Sequence, residues 1–394
     1  MHVVPFVTLT VEVFKEQQRW RQLERTRDMR DDIPTMRNGF PSRHLSLAIR
    51  EYAPGAGVVV NGMVYDSAGI ALAWKRPVTE AETRDIQDLG FAWQCQQCGA
   101  ADFTPERPAC CPRCASEDVR RSPMLRPTGF SVDFYSSPHN DLGRQEYVSV
   151  DEPWISASGA SWSALGGTVV GRYRCTTDGT VVFRNRGVWH HGYAICLHCG
   201  RAAPEPTQRP KQGDYPLPPP MQDHRRLRGG KHDTVVCTGN KSAFAVRRNV
   251  VLGGVERTDV LELQLHMPGT AMPINDEVVC ATLAVALRRA VAETLGVDPR
   301  EIGWSVIPSR AATGAPTFSL VLFDTADGGA GYVSAVVPKL GKIIGTLPTY
   351  LTCPRQCDAA CHGCLIGYDT QWSVKRLHRV KALEALPQAF FDAL

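Results

Sequence analysis

Between residues 353 and 368 the chain reads CPRQCDAACHGCLIGY, which sets Cys353, Cys357, Cys361 and Cys364 in C-x3-C-x3-C-x2-C spacing. Four thiolates this close suit one tetrahedral cation. An all-cysteine set leaves no open coordination position, as structural rather than catalytic zinc requires. Two disulfides are the competing use of the same residues, and a redox dithiol would need only two of them. The whole sequence holds 14 cysteines. Its opening, MHVVPFVTLTVEVFKE, lacks the basic start of a secretory leader, and Glu12 interrupts the apolar run. A cytoplasmic location is therefore expected, and clustered thiols in a reducing compartment point to metal.

Two further sets have ligand spacing. FAWQCQQCGA and CCPRCASED pair Cys95-x2-Cys98 with Cys111-x2-Cys114, two knuckles of a zinc ribbon. Cys110 could stand in for Cys111, but the x2 spacing favours Cys111. Such ribbons are struts or partner contacts more often than catalytic centres. The third set is a single knuckle, Cys196-x2-Cys199-Gly200, with Cys237 as a distant ligand. Its fourth ligand is assigned to His224, with His232 as runner-up; His190, His191 and His198 are also near in sequence. The alternative is that these groups pack without metal. Cys175 and Cys280 read as buried thiols.

Basic residues gather beside the third set: Arg225, Arg226, Arg228, Lys231, Lys241, Arg247 and Arg248. Such a cluster can neutralise phosphates and release counterions, or can simply be the solvated face around a knuckle. No aromatic interleaving accompanies it, so base stacking is not indicated there.

The elements that must hold these groups are mixed. Residues 12–31 are mostly charged helix formers and read as an exposed helix, a solvated surface or a partner-binding arm. SLAIREY reads as a short helix or strand. VVVNGMVYDSAGIAL reads as a hairpin turning at Asn61-Gly62, with a second turn at Ser67–Gly69. Short alternating runs from 120 to 195 make a β-rich middle, with a turn at Asp178-Gly179. PEPTQRPKQGDYPLPPP reads as an extended loop. From 249 the pattern becomes α/β: a strand VLELQLHM, then a helix from the Asn275/Asp276 cap to Gly296. The strands EIGWSVIP and FSLVLFDTA follow. The glycines of FDTADGGAG allow a tight strand-to-helix turn, and RLHRVKALEALPQAFFDAL forms an amphipathic helix.

FDTADGGAG also invites a phosphate-loop reading. It matches neither G-x-x-x-x-G-K-[ST] nor G-x-G-x-x-G, and close packing explains its glycines equally well.

At 394 residues with a net charge of +4, the chain is long enough for two or three domains and mildly basic, which permits a nucleic-acid partner without requiring one. No apolar stretch is long enough to span a bilayer. The expected class is α+β and multi-modular. An N-terminal helical arm (1–38) precedes a small β module (39–90) and a zinc ribbon (91–120). A β-rich domain with the second zinc knuckle (121–248) then leads to a C-terminal α/β zinc domain (249–394).

FDTADGGAGYV, CPRQCDAACHGCLIGYDTQ and the basic helix opening RLHR together resemble the MrfA-type zinc-binding domain that closes many bacterial superfamily 2 DNA helicases. FPSRHLSLAIREYAPGAGVVVNGMVYDSAGI and the segment HGYAICLHCGRA…HRRLRGG…CTGN resemble the post-motor region of the same helicases. They also resemble the DrmB-like partners of DISARM-type phage defence. The likeness runs over about residues 39 to 394. It implies zinc on Cys353, Cys357, Cys361 and Cys364, and on the Cys196, Cys199 and Cys237 set. His378 stands where related chains usually carry an acidic residue.

The sequence has no Walker A loop and no DEAD/DEAH box, both of which a helicase motor needs. The expected function is thus a non-catalytic, zinc-binding, DNA-binding partner of a separate superfamily 2 helicase in anti-phage defence. Two alternatives stand beside it: a zinc hydrolase or nuclease built on the mixed Cys/His set, and a structural scaffold that never touches DNA.

Overall fold

A computed structural model describes residues 3–8, 10, 15, 40–72, 88–141, 148, 150–166, 170–207, 215–227, 236–241, 245–270, 272–367 and 369–394. The expected helix over 12–31, apart from Lys15, falls outside them, as do residues 208–214 of the proline-rich loop and Arg228, Lys231 and His232.

The first elements in chain order are β1 (Val3–Val7), β2 (Ser42–His44), α1 (Leu45–Glu51), β3 (Gly57–Val60) and β4 (Met63–Ile70). Next come β5 (Leu89–Cys95), β6 (Ala101–Thr104), β7 (Val119–Leu125), β8 (Phe130–Val132), β9 (Asp151–Ser156) and β10 (Ser163–Leu165). The middle continues with β11 (Gly171–Asn185), β12 (Tyr193–Cys196), β13 (Ala202–Pro204) and the long β14 (Val246–Leu265). The C-terminal part has α2 (Glu277–Leu295), β15 (Ile302–Arg310), β16 (Pro316–Asp324) and the short helices α3 (Tyr332–Ala335), α4 (Leu340–Ile344), α5 (Leu347–Leu351), α6 (Arg379–Ala385) and α7 (Gln388–Phe391). The fold is mixed α+β and strand-rich, as expected.

One five-stranded sheet runs β2-β1-β8-β4-β3, and an eleven-stranded sheet is built around β11 and β14. Strand β14 is its spine. One edge pairs antiparallel with β11 along almost its whole length. The other edge meets β7 at Val251–Leu252 and β16 at Val260–Leu263, and β12 pairs with the start of the strand at Val246–Val250, ahead of the β11 ladder. Strand β12 ends at Cys196, and β7 pairs with β5, which ends at Cys95. Strands β5, β7 and β14 run through the positions 90/91, 120/121 and 248/249, so hydrogen-bonded ladders join the modules there.

Alternation along β14 assigns its two faces. Leu261, Leu263 and Leu265 point into the core beneath α2, whereas Glu262 and Gln264 face the opposite side. Helix α2 is apolar nearly all round and correspondingly buried from Val279 to Ala292. Asp276 caps it by accepting from the amides of Val278 (2.8 Å) and Val279 (3.1 Å), a bond set worth about 1 kcal/mol. Gly296 ends it at φ 69. A second core gathers Phe6, Ile49, Tyr52 and Phe130 under the N-terminal sheet, with the rings of Phe6 and Tyr52 stacked at 5.1 Å.

SLAIREY is helical, and Asn61-Gly62 turns the β3–β4 hairpin with both φ positive. Three expectations are corrected. Ser67–Gly69 is no turn: β4 runs on through a register shift. A Cβ on Gly69 would lie 2.2 Å from the Gly200 carbonyl oxygen, so this glycine serves a close approach of two backbones. Asp178-Gly179 is likewise a bulge inside one continuous strand, where a Cβ would meet Val260 at 2.3 Å. The C-terminal amphipathic helix is two pieces, α6 and α7, broken before Pro387, whose ring and missing amide cannot continue it.

Candidate metal centres

The four late cysteines sit in the loop between α5 and α6. Sulfur–sulfur distances are 3.6 Å for Cys353–Cys361, 3.6 Å for Cys357–Cys364 and 3.8 Å for Cys361–Cys364. A zinc–sulfur bond of about 2.3 Å gives a tetrahedron edge of about 3.8 Å, so the spacing fits one ion. The amides of Cys361 and Gly363 donate to Cys364 Sγ and Cys361 Sγ, both at 3.3 Å, as knuckle amides do for thiolates. An amide bond from Cys357 draws the Cys353 thiol down to about 6, while desolvation and the neighbouring sulfurs push Cys357 up to about 12. Sulfurs this close compete for their protons, and a divalent cation relieves that competition.

The loop is anchored from outside. Arg379 donates through its guanidinium to the Cys357 carbonyl and through its amide to the Ala359 carbonyl at 2.8 Å. His378 caps α6, its Nδ1 accepting from the Lys381 amide at 3.4 Å, and its own amide donates to Thr282 Oγ1 of α2 at 2.8 Å. His378 is thus a helix cap.

In the ribbon, Cys95 ends β5, and its sulfur lies 3.5 Å from that of Cys114; Cys98 and Cys111 are 3.7 Å apart. The amides of Gln97 and Arg113 donate to Cys95 Sγ and Cys111 Sγ at 3.3 and 3.4 Å. The residue after each knuckle takes positive φ, Gly99 at 73 and Ala115 at 57. Cys111 is the ligand-positioned residue, and Cys110 is exposed outside the group.

The third group brings Cys196, Cys199, His224 and Cys237 together, with Cys196 and Cys237 sulfurs 3.8 Å apart. His224 Nδ1 lies 3.1 Å from the Met221 carbonyl, the outer bond that orients a metal-binding imidazole and leaves Nε2 as the ligand atom. Burial acts to lower the His224 pKa, but the sulfurs of Cys199 and Cys237 prevail and hold it at about 9. Hydrogen bonding within the same group pushes Cys196 strongly up and Cys237 strongly down. A Cβ on Gly239 would lie 2.7 Å from Cys196 Sγ, so the cradle needs glycine.

Within each of the three groups all ligand atoms lie within 4.8 Å of one another, and among the described residues these are the groups of that kind. His190, His191 and His198 belong to none of them. Cys175 and Cys280 stand apart, pushed up to about 11 and about 12, chiefly by burial.

The glycine-rich turn after β16 is already occupied. Asp324 accepts from the amides of Ala330 (2.8 Å), Tyr332 (2.9 Å) and Val333 (3.1 Å). The turn therefore gives its own carboxylate the amides a phosphate would use.

Among the described residues the basic side chains differ in their surroundings. Arg248 pairs with the buried carboxylate of Glu205, donates to the carbonyls of Tyr215 and Pro216, and stacks on the Tyr215 ring at 3.8 Å. Its charge is neutralised internally. Arg225 is exposed, whereas Arg226 and Arg247 are half-buried. Lys241 falls in a short 3-10 turn, Thr238–Lys241.

Residues 283–365 match the model of the MrfA Zn-binding domain, a zinc-binding domain family. The four late cysteines lie at the end of that span, and Cys353 to Cys364 are the residues able to hold its ion. Over 376 residues the chain is 24% identical to the Druantia protein DruE of Escherichia coli (strain UMEA 4076-1), across 89% of this chain and 19% of that protein. The crystal structure of the DUF1998 helicase MrfA bound to DNA aligns at a TM-score of 0.38 and 11% identity, across 98% of this chain and 34% of that one. The chain thus spans about a fifth of the length of the curated relative it matches. No helix among the described residues is long and apolar enough to cross a membrane.

Proposed function

We propose that this chain is a zinc-stabilised, nucleic-acid-contacting subunit that works with a helicase motor carried by a separate polypeptide, in bacterial anti-phage defence. In this reading it does no chemistry of its own. Zinc holds three loop-rich modules in shape along β14, since small modules with little core draw folding energy from metal.

The observation that carries the reading is the coincidence of the matched segment at 283–365 with a cysteine group whose edges fit a tetrahedral ion. The Asp324 turn, whose amides are taken by its own carboxylate, favours a segment that binds no nucleotide phosphate there. The likeness to the Druantia protein DruE supports the defence setting.

Purification of the tagged chain from its own host tests this. The expected outcome is co-purification with a superfamily 2 ATPase, salt-dependent oligonucleotide binding, and no ATP hydrolysis by the chain alone. ATP turnover by the isolated chain would overturn the reading. So would metal-dependent DNA cleavage that is lost on changing His190 or His191.

A further inference from the structure

The loop that joins β11 to β12 is held by bonds on both sides and turns an aromatic ring outward. The Gly192 amide donates to the Arg186 carbonyl at 2.7 Å, closing residues 186–192 into a ring, and the His190 amide donates to the Gly187 carbonyl at 3.1 Å within it. Asn185, fully buried, accepts from the Gly187 amide (2.7 Å) and the Tyr193 hydroxyl (2.8 Å). Asn249 pins the far side by donating to the His191 carbonyl at 2.8 Å. Gly192 is required there, because a Cβ would lie 2.7 Å from the Asn249 carbonyl carbon. His190 itself adopts φ 58, a conformation non-glycine residues seldom take outside functional or over-determined sites.

What this rigid loop presents is Trp189, 52% exposed, the most exposed of the chain's described large apolar side chains. Beside it, cations collect on a single carboxylate. Asp151 receives Arg186 through two bonds of 2.7 and 2.8 Å, and His190 Nδ1 lies 3.4 Å from it. Arg184, two residues before Arg186, lies over the Trp154 ring at 3.7 Å and donates to the Glu152 carbonyl. Asp151 neutralises Arg186, and Arg184, only 7% exposed, adds a further positive charge behind it, beside Glu152, whose carboxylate pairs with Arg376. Burial draws the Arg184 pKa down to about 10, which leaves it charged at neutral pH.

We propose that this loop is a single-strand nucleic-acid contact, in which an unpaired base stacks on Trp189 and the adjoining phosphate lies against Arg186, with Arg184 adding positive charge behind it. The chemistry matches what sequence-tolerant strand binders use, an aromatic face beside a basic track. It rests on the nucleic-acid reading above, and it places the contact on the 186–192 loop, where an exposed aromatic ring stands, rather than on residues 225–248.

Fluorescence anisotropy with a labelled oligothymidylate, at several salt concentrations, tests it on the intact zinc-loaded protein. Trp189→Ala should weaken binding about 5- to 100-fold with the salt slope unchanged. Trp189→Phe should restore most of the affinity, and affinity for blunt duplex should be the same in all three proteins. Arg186→Ala should lower the salt slope by about one. Oligothymidylate binding by the parent protein that Trp189→Ala leaves intact would overturn this inference alone. Absence of any binding by the parent protein would remove the nucleic-acid reading with it.

Discussion

Arg174 and Glu262 form a buried ion pair, Nη2 to Oε2 at 2.6 Å, and the same guanidinium reaches the carbonyl of Cys98 at 3.4 Å. One side chain thereby ties β11, β14 and the first ribbon knuckle together. Ser309 and Gln264 extend the network to β15 and β16, with Ser309 Oγ donating to Glu262 at 3.2 Å. Around Glu262 the sheet face turned toward the first knuckle is thus polar, while the ribbon strands pack on the sheet through Ala92, Ala101 and Phe103 against Trp154 and Val182.

This pair gives the first prediction. Removing one partner leaves an uncompensated buried charge, so Glu262→Leu alone should destabilise by about 3–5 kcal/mol. Replacing both, Arg174→Met with Glu262→Leu, should cost much less than the sum of the single changes. Urea unfolding of the four proteins reads the coupling. Additive losses would show that the pair does not work as a unit.

The third metal group gives the second. Gly239→Ala puts a methyl 2.7 Å from Cys196 Sγ and should cost that site its ion while sparing the other two. With one ion in each of the three groups, metal analysis should fall from three zinc per chain to two. Cys110→Ser supplies the contrast: it changes an exposed thiol outside every group and should leave all three ions in place. An unchanged zinc content in Gly239→Ala would show that the cradle tolerates the added methyl.

How much of this was legible in the sequence depends on how local each cause is. The cysteine knuckles, the Asn275/Asp276 cap and the Gly296 stop are set within a few residues of themselves, and the structure brings the knuckle sulfurs together and makes Asp276 the cap. Gly69 and Gly179 look like turns in the sequence because a glycine signals a bend and a close backbone approach equally well. Their partners, Gly200 and Val260, are far along the chain. Arg248 looked like free surface charge because Glu205, which neutralises it, lies 43 residues away. Trp189 carried no motif; its meaning comes from the Asn185 and Asn249 bonds that hold its loop. The role of β14 as a shared spine could not be seen from any single module.

Ala115 gives a third prediction. It occupies the position after the second ribbon knuckle at φ 57, where the first knuckle has Gly99 at φ 73. A left-handed backbone costs an L side chain roughly 1 kcal/mol that glycine avoids. Ala115→Gly should therefore raise ribbon stability by about 0.5–1 kcal/mol despite glycine's greater freedom when unfolded. A lower midpoint in thermal unfolding of the zinc-loaded protein would contradict this.

The last prediction concerns pH. Glu256 on β14 has most of its side chain buried, with His44 Nδ1 3.3 Å away. Burial, helped by Asp327, pushes its carboxyl up to about 8, well above the ordinary 4.5. The folded protein therefore holds a proton that the unfolded chain releases above pH 4.5. Stability from this group is full below that pH and falls as pH rises through about 8. Glu256→Gln mimics the protonated form at every pH. At about pH 5 the variant and the parent should melt together, and at about pH 9 the variant should be the more stable by on the order of 1–3 kcal/mol. Equal melting at both pH values would contradict a raised Glu256 carboxyl.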